Sequence, residues 1–329
     1  MSVARLAVAA ATIAACAGAQ AHATPPGRDG KIAFQRFLFQ DDPLQADIWL
    51  ANADGSGERR VTRAPRGFVD GEPDWSPDGK QIVFQRGPSV DGPWTLWTVN
   101  ADGSGARRLT PRRGRCRYES SPAFSPDGSR IAFECLRPTR KAELLSIVVV
   151  NANGSNRRVV ARGRGAMDIG RPQFSPDGEH LVFEGHNVAV KPKNGAATYV
   201  VDVDGSGLRR VTPWSLGAGD HPDWSPDGKL ILVRSNANGP DFYGQGSLFA
   251  LRPDGGGLRR LTHFGRRVRV LQNGSFSPDG KAVVFATSEG AVRSRLPDVF
   301  SIRLDGAGLT NVTHAKNWDG SPDWGPSAR

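Results

Sequence analysis

Apolar and polar positions in this chain alternate in short runs, each run closed by a cluster of turn-forming residues. The stretch Pro73-Asp-Trp-Ser-Pro-Asp-Gly-Lys-Gln-Ile-Val-Phe84 shows the unit. An aromatic residue ends one run, Ser76-Pro-Asp-Gly79 interrupts, and Ile82, Val83 and Phe84 begin the next. Proline fixes φ at the first corner of a turn, aspartate caps its own backbone, and glycine accepts the positive φ that closes it. β-Branched and aromatic residues between such signals read as strands. A third run, Leu96-Trp-Thr-Val99, leads to Asn100-Ala-Asp-Gly-Ser-Gly105, a hairpin signal, and Arg107-Arg-Leu-Thr110 follows as a fourth. The pattern predicts four antiparallel strands per unit, the size of one propeller blade.

The unit recurs. Its copies are Pro122-Ala-Phe-Ser-Pro-Asp-Gly-Ser-Arg-Ile-Ala-Phe133, Pro172-Gln-Phe-Ser-Pro-Asp-Gly-Glu-His-Leu-Val-Phe183, Pro222-Asp-Trp-Ser-Pro-Asp-Gly-Lys-Leu-Ile-Leu-Val233 and Gly274-Ser-Phe-Ser-Pro-Asp-Gly-Lys-Ala-Val-Val-Phe285. The second proline of the motif falls at 77, 126, 176, 226 and 278, with Pro326 as a sixth mark, a period of 48 to 52 residues. A fixed period of that size defines a repeat architecture. Six hairpin turns, among them Asp54-Gly, Asp102-Gly, Asn153-Gly, Asp204-Gly, Asp254-Gly and Asp305-Gly, predict six blades. The first copy starts in mid-repeat at Gly30-Lys-Ile-Ala-Phe34, and Ser321-Pro-Asp-Trp-Gly-Pro326 supplies an inner strand with nothing after it. The fold class expected is all-β: a six-bladed β-propeller closed by the C-terminal segment joining the N-terminal blade, which removes exposed sheet edges.

These repeats resemble those of TolB-type six-bladed propellers over residues 30 to 326, and they also resemble the propeller that caps prolyl-oligopeptidase-type hydrolases. The motifs are specific to the fold and not to a function. TolB proper carries an α/β domain ahead of its propeller, and no stretch here is expected to form one.

Residues 1–23 combine Arg5, an apolar run from Leu6 to Ala15 and small residues at Ala19-Gln-Ala21 and Ala21-His-Ala23, which predicts an export signal. Ile13-Ala-Ala-Cys16 offers a rival reading as a lipid-attachment site. Residues 24–329 are then a single propeller domain. The 40 Gly and 24 Pro fall at turns, as turn-rich β structure requires. Cys116 precedes an inner strand and Cys135 ends the next strand of the same blade, so a disulfide between them is expected in an oxidising compartment.

The Ser-Pro-Asp-Gly and Asp-Gly-Ser-Gly turns share one face and hardly vary. The opposite face carries connections that differ from blade to blade, and function on a rigid scaffold concentrates in such loops. Acids precede most inner strands at Asp70, Glu119, Asp168, Asp220 and Asp319, where the sixth blade has Leu271-Gln-Asn273. As a ring at the channel mouth, with His221, they could bind a ligand, a divalent cation or a basic side chain; as turn caps they would simply face water. Loop arginines Arg112, Arg113, Arg115, Arg117, Arg162, Arg164, Arg266, Arg267 and Arg269, with a net charge of +10, suit an anionic partner. The Arg-Arg pairs, such as Arg59-Arg60 and Arg209-Arg210, belong to outer strands and read as solvated edges. Positive charge spread around a disc does not suit nucleic acid.

No Gly-x-Ser-x-Gly nucleophile elbow and no His-Glu-x-x-His motif occurs. His221, His263 and His314 could converge near the channel mouth as a metal site of lyase type. Asp202-Val-Asp-Gly-Ser-Gly207 starts like a calcium loop, lacks the later glutamate, and reads as a turn. The leading expectation is a monomeric, non-enzymatic, exported propeller, without a resident cofactor, that docks an envelope protein or peptide. The alternative is a small-ligand or polysaccharide-active propeller working at the channel mouth.

Overall fold

In the computed structural model, residues 26–38, 45–88, 92–111, 116–138, 143–165, 167–187, 195–235, 246–264, 268–289, 296–314 and 317–328 are described. The expected export signal, with Cys16, lies outside them, as do Arg112, Arg113, Arg115, Arg266 and Arg267.

Each Ser-Pro-Asp-Gly turn is built alike. In the first, the Gly79 amide donates to the Ser76 carbonyl at 2.9 Å and the Ser76 hydroxyl donates to Asp78 at 2.7 Å. Gly79, Gly128, Gly178, Gly228 and Gly280 all sit near φ 70°, which only glycine adopts without strain. These turns join inner strands to their neighbours and generate six four-stranded antiparallel blades among the described residues. Blade 2 is Val69–Trp75, Gln81–Gly87, Thr95–Asn100 and Arg107–Arg108. Blades 3, 4, 5 and 6 begin with inner strands Tyr118–Phe124, Met167–Phe174, Ala218–Trp224 and Val268–Phe276.

Blade 1 takes its inner strand from the other end of the chain. Trp318–Pro326 pairs antiparallel with Asp29–Phe37, in register Phe37↔Trp318 and Arg36↔Asp319, ahead of Ala46–Ala51 and Arg59–Arg60. Arg36 seals this seam with a two-pronged pair to Asp319, both contacts 2.7 Å and both side chains buried. The inner strands pack in cyclic order around the ring, so blades 2 and 5 face each other across the axis. A parallel bridge, Ala46↔Val69, also links blades 1 and 2 into one sheet.

The core lies between blades. Phe34, Phe84, Phe133, Phe183 and Phe285, at equivalent positions, are buried, and apolar clusters such as Ala132, Ile147 and Val160 with Ile169, Phe174 and Phe183 span adjacent blades. Burial of one such ring stabilises by about 2–3 kcal/mol. Arginines of several outer strands tie one blade to the next. Arg158 donates to the Val203 carbonyl at 2.7 Å and Arg209 to that of Pro253 at 2.6 Å. These arginines are therefore inter-blade ties as well as edge charges.

Candidate functional site in the axial channel

The inner strands share a defect. Register breaks between Gly71 and Asp74, Ser120 and Ala123, Gly170 and Gln173, and Gly219 and Asp223. At the break, the residue before proline is left-handed: Glu72 (φ 51°), Ser121 (47°), Arg171 (53°), His221 (50°) and, in blade 1, Ser321 (45°). A residue before proline normally stays extended, and a non-glycine residue at positive φ is strained. Neighbouring blades hold some of these residues by their amides. Ser121 N donates to the Gln85 side chain at 3.2 Å and Ser321 N to that of Gln272 at 2.7 Å. The five side chains, with Pro73, Pro122, Pro172, Pro222 and Pro322 and with Gly274 and Ser275 of blade 6, line one axial cavity of about 40 Å³.

Charge concentrates on one part of this ring. His221 donates from Nδ1 to Asp220 at 2.9 Å, and its Nε2 closes on Glu72 of the opposite blade. The Ser321 hydroxyl donates to Glu72 at 3.0 Å. Arg171 donates to Glu184 at 2.5 Å and stands 3.6 Å from Asp220, while Arg234 reaches Asp220 at 3.3 Å and His186 lies 3.5 Å from Glu184. Burial opposes the charged imidazole of His221, but the Glu72 carboxylate and the Asp220 hydrogen bond override it and raise its pKa to about 9. Against burial, His221 holds Glu72, and Arg171 holds Glu184, below the usual carboxylate range. Burial lifts Glu134 to about 7, Arg171 opposing and Glu184 and Glu72 adding to it. His221 is thus a cation at neutral pH.

Deeper along the same strands, acids serve the backbone. Asp74 accepts from the Phe124 amide at 2.7 Å, Asp223 from Phe276 at 2.9 Å and Asp323 from Trp75 at 2.8 Å, each joining one blade to the next. Burial and mutual repulsion push Asp74 upward, and burial takes Asp323 to about 6.

The structure distributes the acids expected at the mouth. Asp70 and Asp319 are wholly buried, Asp70 against Arg86 at 2.5 Å and Asp319 against Arg36. Glu119 is buried 3.6 Å from Arg157, Asp168 is exposed at the start of its strand, and Asp220 joins the His221 network. Cross-strand pairing, as of Asp70 with Arg86 and Arg36 with Asp319, turns most of them into ion pairs within the blades. Arg162 and Arg164 are exposed. Cys116 and Cys135 are joined, S–S 2.06 Å. His263 and His314 are exposed and form no metal-ligand group with His221 among the described residues. One Asp/Glu/His group does occur, Asp177, Glu179 and His180, on the blade 4 turn; His180 is held by Asp202 at 2.8 Å. Sequence reasoning passed over Glu72, Ser121, Arg171 and Ser321. Their signal was a position before proline that changes chemistry in every copy.

Inner strands that close a ring around a charged channel define a β-propeller with an axial site. The family model PD40, TolB beta propeller domain, matches residues 116–329, and the chain belongs to that family. It is 35% identical over 103 residues to the Tol-Pal system protein TolB of Anaeromyxobacter dehalogenans, covering 31% of this chain and 21% of that protein. The match thus spans about a fifth of that relative's length. TolB from Acinetobacter baumannii superimposes with a TM-score of 0.67 at 19% identity, over 91% of this chain and 67% of that one. An oligogalacturonate lyase from Vibrio parahaemolyticus shares the fold at a TM-score of 0.51 and 13% identity, over 89% and 77% of the two chains.

Proposed function

We propose that this chain is an exported, non-enzymatic propeller that docks a protein or peptide segment of the cell envelope in its axial channel. One observation carries the reading. The left-handed position before proline keeps its backbone in five blades but holds Glu72, Ser121, Arg171, His221 and Ser321. A purely structural position repeats its residue, as the Ser-Pro-Asp-Gly turns do; a recognition surface varies on a fixed scaffold. Glu72, Arg171 and His221 are partly accessible in a cavity, where charges gain strength from the low-dielectric walls. The Tol-Pal setting of the TolB relatives supports an envelope location.

Affinity capture from an envelope extract tests this, with the mature protein immobilised beside a Glu72→Gln/Arg171→Gln control. A partner retained at low salt by the wild type and lost by the control is the expected result. No retained partner, or equal retention by both, defeats the reading.

A further inference from the structure

The contact between Glu72 and His221 joins opposite blades, so it crosses the axis of the channel. Its two ends are not equally provided for. If it opens, the imidazole keeps Asp220 on Nδ1 at 2.9 Å. Among the described residues Glu72 keeps only the Ser321 hydroxyl at 3.0 Å, with Arg171 as a more distant charge. A carboxylate walled by prolines and left with one hydroxyl stays ionised at lower cost when a cation pairs with it. The surroundings would accept one. With the latch pair set aside, the ionisable side chains that line the cavity are Asp223 and Asp323 against Arg171.

We propose that Glu72 is the receptor for an ammonium group of the docked segment, and that His221 occupies it in the free protein as a built-in stand-in. The inference rests on the docking reading and adds the chemistry of the partner. Binding becomes an exchange: the guest cation takes Glu72, His221 falls back on Asp220, and the axis opens. At neutral pH His221 is charged, so the latch is shut until a guest competes for it. Such self-occupancy lowers the apparent affinity by the fraction of molecules that are latched.

Calorimetric titration of the full chain at pH 7 and low salt provides the test. The probes are acetyl-Gly-Lys-Gly-amide, its Gln counterpart, and Gly-Gly-Gly-amide with a free amino terminus. Binding by the lysine peptide or the free-amine peptide, and not by the Gln peptide, is expected, and the one that binds identifies the source of the cation. Glu72→Gln should abolish binding. His221→Asn, too short to reach Glu72, should tighten it by roughly tenfold or more through loss of self-occupancy. Weaker or unchanged binding by His221→Asn, or equal binding of the Gln peptide, overturns the proposal. A measurement without mutation accompanies it: saturating lysine or free-amine peptide should lower the His221 pKa in NMR titration, and an unmoved pKa contradicts the exchange. If envelope capture succeeds while the peptides bind indifferently, docking stands and this inference falls.

Discussion

Asp323 shows how a single residue is divided between two duties. Its carboxylate accepts the Trp75 amide and so ties blade 1 to blade 2, yet burial beside Asp74 lifts its pKa to about 6. An acid whose folded pKa is raised binds its proton better when folded, so its cost appears as pH rises from the ordinary value toward 6 and persists above. Asp323→Asn keeps an acceptor for Trp75 and removes the charge. It should stabilise by about 1 kcal/mol at pH 7 and lose that gain near pH 4, read by denaturant unfolding at the two pH values. His221 has the opposite sign. Its raised pKa contributes stability in full below the unfolded value near 6.5, and that contribution is lost as pH rises through about 9. Thermal unfolding should therefore show a loss of stability that runs from about pH 6.5 to about pH 9 and levels off above, and that Glu72→Gln removes. The Asp323 tie was not legible in the sequence, because Pro-Asp-Trp reads as local strand and turn chemistry while its hydrogen bond goes to another blade.

Among the elements, the blade was readable and its inner strand was not. Turn residues at fixed offsets specify each hairpin locally, so Ser76 to Gly79 and Asp54 to Ser56 could be read directly from residue type. The bulge before each proline has no such signal, since a residue in that place is expected to be extended. That miss moved the expected acid ring two residues up the strand, to Asp70 and Asp319, which the register instead sets against Arg86 and Arg36. In blade 3 the equivalent cross-strand partner of Glu119 is Cys135, which is joined to Cys116. Breaking that bridge by Cys116→Ser/Cys135→Ser should cost about 3 kcal/mol in the chain-entropy account, measured by urea unfolding under non-reducing conditions. A change below half that value would mean the strands already hold the loop shut.

At the scale of the whole molecule, closure and the axial site depend on each other. Repeat period and half-repeats at the two ends gave the ring, and the ring alone brings Glu72 to His221, 149 residues away. The seam is held by the buried Arg36–Asp319 pair. Asp319→Ala should therefore destabilise by about 1–3 kcal/mol, because the buried Nε of Arg36 loses its acceptor while the guanidinium keeps Glu58 at 2.8 Å. A ring loosened there should also release the latch, since Ser321, which supports Glu72, lies on the same C-terminal strand. The central claim is that opposite blades hold a charged histidine on the channel axis. The most direct measurement is an NMR titration of the histidine side chains of the free protein, with His221 assigned by its loss in His221→Asn. His221 should titrate near pH 9 and fall back toward 6.5 in Glu72→Gln. An ordinary His221 pKa in the wild type, unmoved by Glu72→Gln, would contradict it.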